Sequence, residues 1–226
     1  FHKKHISLPS KVSRCVKTLH LYGVAARLPS MSIALIIPAR YGSTRFPGKP
    51  LAPIAGVSML ERVVRLAHVA AKDLTGAEVV VATDDARIEA HAQSLGVKAV
   101  LTPAECPTGS DRVLAAARQL VRLPHIVVNL QGDAPLTPPS SIRAVIEGLQ
   151  QHSHADVATP LCALNWTELD ALRDSKKQTP FSGTTVVRDA TGKALWFSKN
   201  ILPAFRNETA LRQQEPSPVY RHIGLY

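Results

Sequence analysis

The chain has 226 residues, of which 45% are hydrophobic and 19% are charged, a composition typical of a globular protein with a complete core. No apolar run approaches the roughly 18 residues of a membrane span, so we predict no membrane association. The net charge of +10 would suit a nucleic-acid binder, but six of the cations lie among residues 1–30 and only 5% of the residues are aromatic. Without a dense basic run interleaved with aromatic residues, we predict no nucleic-acid partner.

Residues 1–30 form a basic segment that contains no Asp or Glu. The segment begins at Phe1, whereas Met31 stands directly before the first strongly apolar stretch. We predict that it is an extension outside the folded core, and its composition leaves a targeting peptide open as the alternative. The cysteines form no Cys-x-x-Cys pair, so a zinc site is not expected and the predicted location is the cytoplasm.

Strand and helix patterns alternate from Met31 to about residue 152. The predicted strands of this part are 33–37, 78–82, 97–101 and 126–130. The predicted helices are 58–72, 86–95, 110–122 and 139–151. Repeated β-α-β units of this kind predict an α/β fold with a mostly parallel sheet and helices on both faces.

The pattern changes after about residue 154. A strand at 156–161 and a short helix at 166–173 are followed by two strands, 184–188 and 194–198. These two strands flank an Asp-Ala-Thr-Gly turn and therefore predict a hairpin. A last strand is predicted at 220–226. This half of the chain should form a small mixed β lobe beside the parallel sheet.

The loop after the first strand is rich in cations. Residues 36–51 read Ile-Ile-Pro-Ala-Arg-Tyr-Gly-Ser-Thr-Arg-Phe-Pro-Gly-Lys-Pro-Leu, with cations at Arg40, Arg45 and Lys49. Ligands of a parallel sheet bind beyond the carboxyl ends of its strands, where this loop emerges. Basic side chains and backbone N–H groups can together neutralise several phosphate oxygens, so we predict a triphosphate site. The loop is not a P-loop, because five residues separate its glycines and its lysine is followed by proline.

A polar cluster, Asn129-Leu130-Gln131-Gly132-Asp133, follows the fourth strand. Its carboxylate should face the same crevice as the basic loop, since both come from the carboxyl ends of parallel strands. Mg²⁺ is usually bound through one or two carboxylates together with substrate phosphates, so a single Asp133 is a chemically sensible ligand. A plain turn that happens to contain Asp is the alternative.

Two further motifs stand apart from these loops. The segment Pro-Thr-Gly-Ser-Asp-Arg at 107–112 opens a predicted helix, and N-capping alone would explain its residue types. The segment Arg-His-Ile-Gly-Leu-Tyr at 221–226 ends the sequence. Without further context, its histidine would be assigned a structural role.

Together these motifs resemble the cytidylyltransferases that activate 3-deoxy-manno-octulosonate (Kdo). The loop of that family reads close to Ile-Pro-Ala-Arg-Tyr-x-Ser-Thr-Arg-x-Pro-Gly-Lys-Pro-Leu, and the resemblance runs nearly continuously from Met31 to Tyr226. It implies a Rossmann-like nucleotidyltransferase fold for 31–226, in which 156–226 contributes the sugar-binding and dimerisation lobe of a homodimer. The implied reaction is transfer of CMP from CTP to Kdo with release of pyrophosphate, for lipopolysaccharide biosynthesis.

The resemblance also implies roles for individual residues. The implied contacts of the nucleotide are Arg40, Ser43, Arg45 and Lys49 at the triphosphate, and Thr108, Gly109, Ser110 and Arg112 at the base or ribose. The implied contacts of the 3-deoxy sugar acid are Gln131, Lys199, His222 and Tyr226. The implied ligand of the Mg²⁺ cofactor is Asp133, and the implied catalytic residues are Arg40, Lys49 and Asp133.

The sequence departs from the family pattern at two positions. Ala134 stands where the family usually has Glu, and Lys199 stands where it has Arg, which keeps the charge but loses the bidentate fork. The last motif stops at Tyr226, so we expect the family's C-terminal part, with a second metal-binding Asp, to be missing from this sequence. The alternatives are a cytidylyltransferase for 8-amino-Kdo or an acylneuraminate, and a non-catalytic nucleotide-binding module.

Overall fold

The structure, a computed structural model, describes residues 31–42 and 46–226. The strands are β1 (Ile33–Ala39), β2 (Pro53–Ile54), β3 (Val57–Ser58), β4 (Ala77–Thr83), β5 (Lys98–Leu101), β6 (Ile126–Asn129), β7 (Leu161–Ala163), β8 (Thr185–Arg188), β9 (Ala194–Ser198) and β10 (Tyr220–His222). The α-helices are α1 (Met59–Ala71), α2 (Ala86–Ser94), α3 (Gly109–Ala117), α4 (Pro139–Gln151), α5 (Trp166–Gln178) and α6 (Glu208–Leu211). The predicted extension at 1–30 and the predicted site residues Ser43 and Arg45 lie outside the described residues.

The central sheet has the order β5-β4-β1-β6, and every pairing in it is parallel. β1 is almost completely buried because its two faces contact two different cores. Leu35 and Ile37 pack with α1 and α4, while Ala34 and Ile36 pack with α3 on the other side. The predicted parallel sheet with helices on both faces is thereby confirmed.

The second sheet has the order β7-β10-β8-β9. The mixed pairing predicted for this lobe was wrong, because all its pairings are antiparallel. β8 and β9 form the predicted hairpin, and antiparallel neighbours of this kind need no helical crossover. Beside the sheet, α5 supplies Trp166, Leu169 and Leu172 to a separate small core.

The chain divides into two compact units. Among the described residues, one unit comprises 31–160 and Gly224–Tyr226, and we call it the parallel unit. The other comprises Leu161–Ile223, and we call it the antiparallel unit. No helix in the described part of the chain is long and apolar enough to cross a bilayer.

Two predicted elements near the middle of the chain have different bounds. The helix predicted at 110–122 ends at Ala117, because the next hydrogen bonds span only three residues, from Gln119 N to Ala116 O and from Leu120 N to Ala117 O. The strand predicted at 156–161 begins only at Leu161. The residues before it do not join the ladder of the antiparallel sheet.

Two elements of the antiparallel unit also differ from the prediction. α5 extends to Gln178 rather than ending at residue 173, and its polar last turn explains why the sequence pattern stopped early. The strand predicted at 220–226 ends at His222. Leu225 instead forms an isolated antiparallel bridge with Leu130, directly after β6.

Candidate active site

The basic loop that follows β1 is closed by a short hydrogen bond. The N–H of Gly48 donates to the carbonyl of Tyr41 over 2.9 Å, and Gly48 has a φ of 71°. A Cβ at this position would lie 3.0 Å from the Tyr41 ring. A left-handed conformation and a ring in close contact both require glycine here. Gly48 therefore fixes the bend of the loop directly before Lys49, where a short 3₁₀ helix begins.

Tyr41 is held from its other side by α2. The guanidinium carbon of Arg87 lies 3.4 Å from the centre of the Tyr41 ring, in a cation–π contact. Arg87 also pairs with Asp85, the N-cap of α2, with Nη2 to Oδ2 at 2.6 Å. The hydrogen bonds from Arg87 keep the pKa of the Asp85 carboxyl below its ordinary value. The cap of α2 thus fixes one edge of the basic loop.

The predicted triphosphate-binding cation and the predicted metal ligand meet in the structure. Lys49 Nζ lies 2.6 Å from Asp133 Oδ2, and their side chains are 34% and 56% exposed. The expectation that the loop after β1 and the turn after β6 face the same crevice is confirmed by this contact. Exposure of both partners means that an incoming anion or cation could displace either one.

Gly132 explains why the two loops come so close. A Cβ built on Gly132 would lie 2.6 Å from the backbone oxygen of Pro38, nearer than any real Cβ contact. The chain after β6 therefore crosses the end of β1 at a distance only glycine permits. Asp133 is the next residue and is carried to the basic loop by this close approach.

These loops border a cavity of about 490 Å³ in the parallel unit. The predicted site residues that line it are Arg40, Lys49, Thr108, Gly109, Arg112, Gln131 and Asp133. Apolar contacts from Pro38, Phe46 and Pro50 complete part of its wall. The cavity volume is in the range of small-molecule sites.

The helix-opening motif at 107–112 has a clear structural function. Thr108 and Asp111 form a reciprocal capping box at the start of α3, and the Thr108 hydroxyl donates to Asp111 Oδ2 over 2.6 Å. Arg112 is 3% exposed and donates to Thr102 Oγ1 over 2.6 Å and to Asp84 Oδ2 over 2.8 Å. Contacts of Thr108 and Arg112 with a nucleotide stay predictions, since both side chains already serve the fold.

Asn129, for which no role was predicted, lies between two predicted site residues. Asn129 is 6% exposed, and its Nδ2 donates to Ser110 Oγ over 3.0 Å. Its Oδ1 accepts from Gln131 Nε2 over 2.9 Å. The sequence signal that could have indicated a role for Asn129 is its position as a polar residue at the end of an apolar buried strand.

The four predicted sugar contacts are divided between the units. Gln131 and Tyr226 belong to the parallel unit, while Lys199 and His222 belong to the antiparallel unit. Within the antiparallel unit, Lys199 Nζ donates to Thr184 Oγ1 over 2.8 Å, and the backbone N–H of His222 donates to Thr184 O over 2.9 Å. Burial, followed by the charge of Lys199, lowers the pKa of His222 below its ordinary value. Both causes favour the neutral form of its imidazole.

A second lysine organises the backbone beside Lys199. Lys176 Nζ donates to the carbonyls of Ser182, Gly183 and Lys199 at 2.6, 2.9 and 2.5 Å. Burial is the first cause that lowers the pKa of Lys176, and the charges of Lys199 and Arg221 add to it. The sequence pattern did not single out Lys176, because a lysine in the last turn of a helix is usually solvated.

Cations and a carboxylate at the carboxyl ends of neighbouring parallel strands can bind a phosphorylated nucleotide and a divalent cation together. With helices on both faces of the sheet, this arrangement is that of a nucleotide-binding α/β protein. The family model of cytidylyltransferases matches residues 34–226. The chain belongs to the cytidylyltransferase family.

Individual relatives agree with this assignment. A 3-deoxy-manno-octulosonate cytidylyltransferase of Maricaulis maris (strain MCS10) is 46% identical over 197 residues, which are 87% of this chain and 73% of that protein. An 8-amino-3,8-dideoxy-manno-octulosonate cytidylyltransferase of Shewanella baltica (strain OS185) is 42% identical over 199 residues, again 87% of this chain and 74% of the relative.

A solved structure extends the similarity to the fold. It is that of a CMP:2-keto-3-deoxy-manno-octonic acid synthetase complexed with CTP, with 32% sequence identity and a TM-score of 0.72. The match covers 86% of this chain and 72% of that one. The similarity therefore includes the antiparallel unit as well as the parallel one.

Proposed function

We propose that this protein transfers CMP from CTP to Kdo, giving CMP-Kdo and pyrophosphate. The observation that carries the proposal is the Lys49–Asp133 pair at the cavity, which joins a cation suited to phosphate with a carboxylate suited to a metal ion. The names of the relatives from Maricaulis maris and Shewanella baltica support cytidylyl transfer to a sugar of this class. In the cell, such a reaction would supply activated Kdo for lipopolysaccharide in the cytoplasm.

The proposed cofactor is Mg²⁺, with Asp133 as its ligand. The Asp133 carboxylate already accepts a cation, the ammonium of Lys49, at 2.6 Å. The described residues contain no group of three or more His, Cys, Asp and Glu that could hold a metal. One carboxylate is nevertheless a fitting donor set for Mg²⁺, which takes its other ligands from substrate phosphates and water. When bound, Mg²⁺ would neutralise phosphate charge and acidify the attacking hydroxyl.

The protein's own part in the reaction is to position two substrates and to neutralise charge. The anomeric hydroxyl of Kdo attacks the α-phosphorus, the bond to the pyrophosphate oxygen breaks, and the hydroxyl proton passes to solvent. Arg40 and Lys49, with Ser43 and Arg45 of the same loop, would bind the triphosphate and stabilise the leaving pyrophosphate. No covalent enzyme intermediate is required.

Four residues are the proposed contacts of the sugar acid. Lys199 is the proposed partner of its carboxylate, because an ammonium and a carboxylate form a charge-assisted hydrogen bond. His222 is a further proposed contact, since an imidazole can form a hydrogen bond with a sugar hydroxyl. Gln131 and Tyr226 are the remaining proposed contacts.

Pyrophosphate release is the direct test. Release should require Mg²⁺ and should occur with CTP but not with UTP, ATP or GTP. Asp133→Asn should abolish most of the turnover and retain most of the CTP affinity. Asp73→Asn is the matched control, since Asp73 is an exposed carboxylate that pairs with Arg143 outside the cavity. Normal turnover by Asp133→Asn would refute the metal assignment.

The acceptor sugar needs a separate experiment, because a relative named for Kdo and a relative named for its 8-amino form have similar identity to this chain, 46% and 42%. Kdo, 8-amino-Kdo and a sialic acid would be compared at saturating CTP. We expect Kdo to give the highest kcat/KM. Binding of CTP without turnover on any of the three would instead favour the non-catalytic binding module.

We also propose that the protein is a homodimer that pairs through β9. Leu195, Trp196 and Phe197 are 62%, 67% and 44% exposed on this strand at the edge of the antiparallel sheet. An apolar edge strand is a surface that proteins usually cover. Light scattering should give twice the monomer mass, and Trp196→Glu should reduce it to the monomer mass. A monomeric parent protein would refute this proposal.

A further inference from the structure

We infer that Asn129 is a positioning residue that sets the direction of hydrogen bonding at both Ser110 and Gln131. This inference rests on the proposed function, because it assigns Ser110 to the nucleotide and Gln131 to the sugar acid. It concerns a side chain that the family motifs and the cavity lining leave without a role. All three residues lie in the parallel unit.

The Asn129 side chain is fixed at the end of β6. It is 6% exposed, and its backbone N–H donates to the main-chain oxygen of Tyr226 over 2.8 Å. The next backbone N–H, of Leu130, donates to Ile36 O over 3.0 Å. These backbone contacts hold the end of β6 in place, and burial leaves the Asn129 amide little access to water.

The Asn129 amide forms hydrogen bonds of opposite direction with Gln131 and Ser110: it accepts from the first and donates to the second. Gln131 Nε2 donates to Asn129 Oδ1 over 2.9 Å, so Gln131 retains Oε1 as an acceptor for a ligand. This oxygen lies 3.8 Å from where a Cβ on Gly109 would be, beside the cavity that both residues line. A sugar hydroxyl, which can donate, is the matching group.

In its hydrogen bond with Asn129, Ser110 is the acceptor rather than the donor. Asn129 Nδ2 donates to Ser110 Oγ over 3.0 Å, so the hydroxyl proton of Ser110 is not consumed by Asn129. Ser110 is exposed, and its proton can therefore be donated to an acceptor on the nucleotide. One buried amide thus prepares a donor for the nucleotide and an acceptor for the sugar.

Asn129→Asp separates the two effects, because it preserves shape and replaces the donor to Ser110 with an acceptor, although it also adds a negative charge. A carboxylate at this position still accepts from Gln131 Nε2, so the Gln131 direction is kept. It must also accept from Ser110, and this consumes the hydroxyl proton. At pH 8.5 we expect KM for CTP to rise about three- to ten-fold, the equivalent of one neutral hydrogen bond, and KM for Kdo to stay within about two-fold.

A double-mutant cycle with Ser110→Ala distinguishes the hydrogen bond from the added charge. If the effect passes through the Ser110 proton, Asn129→Asp should raise KM for CTP no further once Ser110 is alanine. A charge effect on the triphosphate would persist in that background and would contradict the inference. An equal rise of both KM values in Asn129→Asp, or a fall in Tm alone, would also overturn it.

The proposed function and this inference can fail separately. If the parent protein releases no pyrophosphate from CTP and Kdo, the proposed function fails. The same three variants then test the Ser110 half of the inference through CTP affinity, measured by calorimetry. If the parent protein is active and the cycle is additive, only the inference fails.

Discussion

Gly132→Ala should damage both the stability and the activity of the protein. A Cβ at this position would lie 2.6 Å from the backbone oxygen of Pro38, whereas real Cβ contacts are not shorter than 3.0 Å. The end of β1 and the turn after β6 must therefore separate by at least about 0.4 Å, the difference between those distances. Rotation of a side chain cannot relieve this contact, because the Pro38 oxygen belongs to the backbone and the position of a Cβ is fixed by the backbone.

The size of the effect follows from this geometry. Overpacking at a buried contact costs about 1–3 kcal/mol, and for a chain of this length each kcal/mol lowers Tm by roughly 2–4 °C. The same displacement moves Asp133, the next residue, relative to Lys49. Misplacement by about 1 Å can cost about a hundred-fold in rate, so a smaller shift should lower kcat/KM by on the order of ten-fold.

Thermal unfolding and pyrophosphate release measure the two effects. Gly148→Ala is the matched control. Gly148 lies inside α4, and a Cβ at this position would make only an ordinary contact of 3.7 Å with Ala158. Alanine is also the better helix former by about 1 kcal/mol, so the control should unfold at the same or a higher temperature.

A Gly132→Ala protein with the Tm and kcat/KM of its parent would refute this reasoning. It would mean that the end of β1 yields to the new methyl group at no cost. The close approach to Pro38 would then be incidental to the position of Asp133. Loss of stability without loss of activity would show that the contact supports the fold but not the site.

Two charged groups of the antiparallel unit give further predictions. Hydrogen bonds from Arg173, then Arg212, lower the pKa of Glu208 from 4.5 to about 2, so this carboxylate stabilises the fold above pH 4.5 and loses its contribution as the pH falls towards 2. Glu208→Gln should therefore lower Tm at pH 6 but leave a smaller difference from the parent at pH 3, and an equal difference at both pH values would contradict this. Lys199→Met should raise the pKa of His222 in an NMR titration but leave it below its ordinary value, because burial is the larger cause; an unchanged pKa would show that Lys199 has no influence.

Much of the parallel unit could be predicted from local sequence. Arg40, Lys49 and Asp133 could be placed together because each follows a strand, and the carboxyl ends of parallel strands share one edge of a sheet. The loop bends at Gly48, which has a φ of 71°, a conformation that glycine adopts readily. Such predictions succeed because they depend on the backbone near the motif itself.

Contacts between residues distant in sequence could not be predicted. The guanidinium of Arg112 is buried against Thr102 and Asp84 from two other segments, while the nucleotide contact that the resemblance implies for Arg112 stays a prediction. The last strand was predicted to continue to residue 226, but it ends at His222. Leu225 is indeed 1% exposed, but its bridge is with Leu130 of the parallel unit rather than with the antiparallel sheet.

Asn129 shows why side-chain networks were the least predictable part of the site. A strand such as β6 ends after four residues, and the sequence indicates only that its last position is polar. Whether that amide donates or accepts depends on Ser110, which is 19 positions away, and on Gln131, which is two. A motif can therefore identify which residues border a substrate while leaving open which of them donates to it. That direction decides whether a pocket selects a donor or an acceptor on its ligand, so the variant that reverses it at one atom is the most informative experiment on this site.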